Sequence, residues 1–462
     1  MIPRVNIDEL KDVRRFAQAT SNQFYMENLH IVQSLFKKSL AAHQALYPLL
    51  QLQLELLGSI IGADSARRTY LRKKGRIRQA TRGLAAKRAG SERMKEAQSR
   101  LRDMEEAEIS AQWVVDRLRS IGDGIAWRFL NYDRAILRLL AEHEPVSTPE
   151  YNKGLMSELN ELVRLGVEQG QNVLLNGITN FLRVGDITTY NPLTGEIGLI
   201  EVKSSTNTNI RARRQGEHLA LVQEGLQSGV SQMSGMKIRR VMAQKPLRTY
   251  VRSVEQAMLE AEQRLRASRK FGDYLTVAVF ALDKISKSVP QENHGQIWNS
   301  ALERLFSVCQ SSADRLLDPM SSLLPISHFS PNLAPYAIYP INPTLRFGLL
   351  TGKFWVLSLL NISGLARWLE RRGWKAKVLQ QPDQLPDDHG APDVPMLRMQ
   401  KGNLAVEVGL DALTVAAMEF WMPESIEEEV LTLMRTVPGG VPEEPGEYGQ
   451  VNFPNTGKYA WD

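Results

Sequence analysis

Gly185-Asp186-Ile187-Thr188-Thr189-Tyr190-Asn191-Pro192-Leu193-Thr194-Gly195-Glu196-Ile197-Gly198-Leu199-Ile200-Glu201-Val202-Lys203 is the stretch on which the reading of this chain turns. It reads as two short strands around a turn, the first ending near Asp186 and the second running over 196–204. Side chains two apart on a strand point to one face, so Glu201 and Lys203 share a side. An aspartate, a glutamate and a lysine can then converge at one spot. Two carboxylates can hold a hard cation, and an ammonium beside them can steer a water or an anionic oxygen. Metal-assisted cleavage of a phosphodiester needs that set.

The flanks continue the pattern. Residues 155–165 have helical spacing, carry Glu158 and Glu161, and stop at Gly166. The spacing places a helix over 153–166, strands near 172–176, 180–189 and 196–204, and a helix over 211–227. On these residues the chain resembles the PD-(D/E)XK nuclease superfamily, the restriction-endonuclease-like fold. That signature is an acidic residue, a spacer, then Asp or Glu, any residue, and Lys, matched here by Asp186, Glu201, Val202 and Lys203. Gly185 stands where the family prefers proline.

The resemblance implies an α+β fold: an α/β nuclease core with a central mixed sheet flanked by helices. It also implies a magnesium or manganese cofactor held by Asp186, Glu201 and the main-chain carbonyl of Val202. Lys203 would hold the attacking water or neutralise charge at phosphorus. Glu158, on the helix before the first strand, would be a further acidic member of the catalytic set, with Glu161 as its substitute. The helix after Lys203 opens on Arg211, Arg213, Arg214 and Gln215, the last three candidates for holding substrate phosphates. Some family members pair such a glutamine with a tyrosine four residues on; Leu219 stands there, so the match is partial. The core is expected over 150–285; a further amphipathic helix spans 246–269, and the apolar run 274–282 either completes the nuclease sheet, with 230–270 as an insertion, or opens the next domain, the first being the preferred reading.

The chain has 462 residues, long enough for two or three domains, with ordinary apolar (43%) and charged (23%) content for a globular protein. Its one cysteine, Cys309, allows no internal disulfide and no cysteine-based zinc site, which suits a reducing, cytoplasmic setting. The histidines show no HxH or HxxxH spacing. No basic-apolar signal pattern opens the sequence. The most apolar window, 347–366, is broken by Lys353, Asn361 and two glycines, and reads as a buried strand passing into a helix rather than a membrane span.

The net charge of +6 conceals an asymmetry: residues 67–102 carry 14 Lys or Arg against Glu92 and Glu96. That window lies in an N-terminal, all-helical arm over residues 1–145, read as helices over 7–61, 64–119 and 121–141, with breaks at Gly75, Gly83 and Gly90. Duplex nucleic acid presents closely spaced phosphates, and an arginine-rich helix gains affinity by releasing their counterions. Arg67, Arg68, Arg72, Lys73, Lys74, Arg76, Arg78 and Arg82 are the candidate contacts.

A C-terminal α/β domain is expected over 286–462, ending in a poorly ordered tail over 437–449. It contains a helix at 295–317, a strand and helix ending at Gly373, a hairpin around Lys401-Gly402-Asn403 and a helix at 410–420. Pro392-Asp393 followed by Glu407-Val408-Gly409 repeats the nuclease spacing, but Gly409 replaces the lysine; the repeat is read as a coincidence, the alternative being a degenerate second nuclease-like module.

The sequence therefore reads as a magnesium-dependent deoxyribonuclease with a basic helical arm that grips DNA. Its relatives by resemblance serve restriction, antiviral defence, repair and mobile elements. The competing class is a non-catalytic nucleic-acid-binding or scaffolding protein whose nuclease-like module is inert. Either would be compatible with a second copy, or another protein, docking on the arm or the C-terminal domain.

Overall fold

The computed structural model describes residues 22–42, 45–86, 91–141, 153–202, 210–228, 230–233, 236–288, 320–321, 334–379, 395–436 and 447–452. The protein is mixed α+β, with an N-terminal helical region and several small sheets, mostly antiparallel.

Helices α1 (Gln23–Ala42), α2 (Leu46–Ala86), α3 (Ser91–Phe129) and the short α4 (Arg134–Leu139) come first. Then follow α5 (Lys153–Val163), strands β1 (Asn172–Leu175), β2 (Ile187–Tyr190) and β3 (Ile197–Ile200), and α6 (Ile210–Ser228). The next elements are β4 (Val230–Met233), β5 (Met236–Met242), α7 (Val251–Arg264), β6 (Arg266–Phe271), β7 (Leu275–Ala281) and α8 (Leu282–Ser288). After β8 (Met320–Ser321) come α9 (Pro343–Leu350), β9 (Phe354–Leu360), α10 (Ile362–Glu370) and β10 (Lys375–Val378). The chain continues through β11 (Pro395–Lys401), β12 (Leu404–Gly409), α11 (Leu410–Met418), α12 (Pro423–Thr436) and β13 (Glu447–Asn452).

Two compact units form. One draws its described residues from Ile7–Phe129 and Ala141–Leu219, the other from Leu130–Leu140 and Ala220–Asp462. This differs from the three-part division expected from sequence: the helical arm and strands β1–β3 share one unit, and a boundary near 285 would cut through the other.

In the first unit α2 and α3 form an antiparallel hairpin, fixed in register by the ion pairs Lys74–Glu108 and Arg78–Glu105, the latter at 2.7 Å. Its root is apolar: Leu52, Leu56, Leu57 and Ile60 on α2 and Val114, Leu118, Ile121 and Ile125 on α3 are all buried. Gly75 lies within unbroken helix, not at the expected break, because nothing crowds or frees the backbone there. Residues 46–82 are long and apolar enough to cross a membrane by length and composition; Leu49, Leu50, Leu52, Leu56, Leu57 and Ile60 of this stretch are buried, while Tyr47 and Leu54 are exposed.

The sheet is the antiparallel meander β1–β2–β3. An edge strand leaves peptide groups without partners. Gln53 closes part of that edge from α2: its Nε2 donates to the Val173 carbonyl at 2.9 Å, and its Oε1 accepts from the Leu175 N–H at 2.7 Å. A fully buried side-chain amide thus stands in for a fourth strand.

In the second unit β7 lies between β6 and β9, with all seven residues buried. The expectation that 274–282 completes the sheet carrying Asp186 is therefore wrong: a continuous apolar run specifies a central strand, not its partners. The helix expected over 246–269 stops at Arg264, where Leu265 turns left-handed at φ 69° and β6 begins. The hairpin at Lys401-Gly402-Asn403 forms as expected, with Gly402 at φ 62°. Residues 447–449 of the expected tail pair in parallel with β5, while 437–446 lie outside the described residues. Glu419 is fully buried; its oxygens accept from Arg134, the Ala334 N–H at 2.8 Å and the Trp421 indole at 3.0 Å.

Replacing Gln53 tests the edge closure. Gln53→Leu should lower the unfolding free energy by about 2–4 kcal/mol, since each buried peptide group left unpaired costs about 1–3 kcal/mol. Gln51→Leu, at an exposed position two residues away, should stay within about 0.5 kcal/mol in the same denaturant titration.

Candidate active site

Asp186 sits at the start of β2, not at the end of a strand as the sequence suggested. The register pairs Ile187 with Ile200 and, continued one step, would set Asp186 opposite Glu201. Instead the chain twists at Gly185, φ 72°, and the Asp186 N–H donates to the Ile200 carbonyl at 2.8 Å. A Cβ on Gly185 would stand 3.1 Å from that carbonyl oxygen. The positive φ also explains why proline is missing here, because its ring holds φ near about −65°.

Two further contacts fix Asp186, and the side chain of Asn176 braces the turn before it. Its carbonyl accepts from the Asn176 N–H at 2.9 Å, and its Oδ2 accepts from the Val202 N–H at 2.7 Å. The buried Asn176 side chain donates to the Val184 and Gly185 carbonyls at 3.0 and 3.1 Å, while its Oδ1 accepts from the Thr188 hydroxyl at 2.8 Å.

Glu158 arrives from α5. It lies three residues after Leu155 and four before Leu162, both buried, so it shares the inward face of the helix. Burial, then the neighbouring charges of Asp186 and Glu201, raise its carboxyl to about 7. Burial also raises Asp186, against the stabilising Val202 N–H. The charges of Asp186, before β2, and Glu201, after β3, thus reach Glu158 on α5 at one end of the meander. Glu161, the substitute, does not join them; it is bound to Arg164 at 2.8 and 2.5 Å, which lowers its pKa.

The loop before Asp186 is anchored to α3. Asp123, fully buried, accepts from the Asn180 N–H and from Asn180 Nδ2, both at 2.7 Å. Burial raises the Asp123 carboxyl to about 7. One residue earlier, Gly122 lies against the Ile178 backbone, where a Cβ would stand 2.2 Å from the carbonyl oxygen. Sequence reading missed Asn176, Asn180, Asp123 and Gln53. The last two had a signal: each is a polar residue on an apolar helical face.

An all-oxygen, acid-rich donor set suits magnesium or manganese rather than zinc. Among the described residues no three His, Cys, Asp or Glu side chains are drawn together as a ready cage. Magnesium keeps most of its waters and needs only one or two carboxylates, so Asp186 and Glu201 with the Val202 carbonyl fit it. Lys203 lies outside the described residues, as do the side chains of Arg211, Arg213, Arg214 and Gln215. Cys309 and Asp393 lie outside them too; Glu407 is exposed on β12, opposite Arg398.

The basic candidates fall into two groups. Arg67 and Arg68 are tied to buried Asp64 at 2.8 and 2.6 Å, and Lys74 and Arg78 pair across the hairpin. Arg72, Lys73, Arg76 and Arg82 are exposed on α2. Compared with protein-family models, curated proteins and solved structures, the chain matches none.

The sign of the pH dependence follows from Glu158. Its folded pKa lies above the ordinary 4.5, so the native state holds the extra proton and loses stability as pH rises from about 4.5 through about 7. Asp116, raised to about 6 by burial, and Asp123 act in the same direction. In EDTA, Glu158→Gln should therefore gain stability relative to the parent protein between pH 5 and pH 7. An unchanged difference across that window would show that the three acids do not interact.

Proposed function

We propose that the first unit is a metal-dependent deoxyribonuclease of restriction-endonuclease-like type. The observation that carries this reading is that Asp186 and Glu201 lie near enough to the half-buried Glu158 for their charges to raise its pKa. The first unit's order of elements, helix, three strands, helix, supports this reading, while its sheet is antiparallel throughout and so departs from the mixed sheet that the resemblance implied. Like charges set close together are unfavourable without a cation between them.

A bound magnesium or manganese ion would act as Lewis acid toward a phosphodiester oxygen and neutralise developing charge. Asp186 and Glu201 would hold that ion with the Val202 carbonyl, with the Glu158 carboxyl beside them. The Val202 N–H orients the Asp186 carboxylate through Oδ2. Lys203, two residues beyond Glu201, would hold the attacking water or neutralise charge at phosphorus, and beside a bound cation its pKa would fall, so that its neutral amine could take the proton of that water. The water oxygen would bond to phosphorus, one bridging P–O bond would break, and the departing oxygen would take a proton from solvent. DNA is the substrate this reading favours, because the cations of α2 and α3 suit a phosphate backbone.

Supercoiled plasmid incubated with magnesium or manganese should be nicked or linearised, and EDTA should stop the reaction. Lys203→Ala should slow cleavage on the order of 10²–10⁴-fold. Asp186→Asn and Glu201→Gln should do at least as much, each variant keeping the parent's circular dichroism. Equal cleavage by Glu201→Gln and the parent protein would refute the assignment, and duplex binding with no metal-dependent cleavage would favour a non-catalytic module.

A further inference from the structure

The arm leaves the first unit at the same end as the carboxylates. At the far end of β2, the Tyr190 ring lies 6.0 Å from Phe129 at the end of α3. Six residues back along α3, Asp123 grips Asn180 in the loop that leads to Asp186. Passing from Phe129 to Asp123 therefore moves from the hairpin turn of the meander toward its acidic end. Farther along the same line, α3 continues through Arg119 to Ser91, with α2 antiparallel beside it.

Beyond Asp64 on α2 and Ala107 on α3, no described residue of the hairpin is buried. Near the base of this stretch Phe24 of α1 lies edge-on to Tyr70, with ring centroids 6.0 Å apart. Exposed Arg72, Lys73, Arg76 and Arg82 stand on α2, and Arg93, Lys95 and Arg102 on α3. At about 1.5 Å per residue, Arg102 lies about 32 Å and Arg93 about 45 Å along α3 from Asp123. Duplex DNA advances about 34 Å in one turn of about 10 base pairs. The outer cations thus stand one turn or more from the level of the acids.

We propose that the arm gauges duplex length: it engages backbone phosphates about one turn of B-form DNA to one side of the bond that the carboxylates address. The substrate class is then double-stranded DNA with an unbroken flank of about that length, not single strands or short duplexes. This inference rests on the nuclease reading for its substrate, but its test does not need cleavage.

The full chain, in EDTA, is titrated against fluorescent duplexes of about 8, 16, 24 and 40 base pairs and a 40-nucleotide single strand, at several salt concentrations. Affinity should rise at least tenfold between the shortest duplex and that of about 24 base pairs, then level off. Replacing the outer cations Arg82, Arg93, Lys95 and Arg102 together by Gln, a good helix former, should flatten this dependence. The salt slope should fall by about 3–4, since each phosphate contact adds about 0.9. Circular dichroism of the variant checks that its helices persist. Equal affinity at all duplex lengths, equal binding of the single strand, or an unchanged length dependence in the variant would overturn the gauge. Length-dependent binding without metal-dependent cleavage would keep the gauge and refute the nuclease, whereas cleavage with length-independent binding would do the reverse.

Discussion

Asn176 holds the turn on which the acidic end of the sheet depends. Its amide binds two successive carbonyls, those of Val184 and Gly185, and its oxygen is filled by Thr188. The chain between them can then take the left-handed step at Gly185 and send the Asp186 carboxylate to the Val202 N–H. An aspartate free to rotate would relax away from Glu158 and Glu201. Buried polar groups of this kind must be satisfied together, which makes the arrangement rigid.

The same logic joins sheet to helices. A three-stranded meander has too little apolar face to stand alone. Gln53 and Asp123 supply the hydrogen bonds that a longer sheet would have supplied from its own strands. Helices α2 and α3 are therefore both the support of the site and the two halves of the arm.

Much of this was legible in the sequence, and the failures have physical causes. The meander and α5 could be read because turn residues and apolar spacing mark them locally. Glu158 was legible as an inward acid because Leu155 and Leu162 bracket it. The partners of β7 were not legible, because a strand buried on both faces carries no mark of its neighbours. The basic window showed its charge but not its pairing: Lys74 and Arg78 meet acids 34 and 27 residues away, and only folding selects these. Asn176 and Asn180 sit in a loop, where an asparagine is ordinary until the groups it binds are known.

The hairpin formed by α2 and α3 beyond Asp64 and Ala107 touches no core. Its extent is therefore a free variable of the architecture. Matched turns could be added to or deleted from both helices, shifting the distal charges by about 1.5 Å per residue, while every packed side chain at the root stayed in place. Divergence in the length of this projection would be cheap for the fold, and reach could drift between lineages while the chemistry stayed fixed.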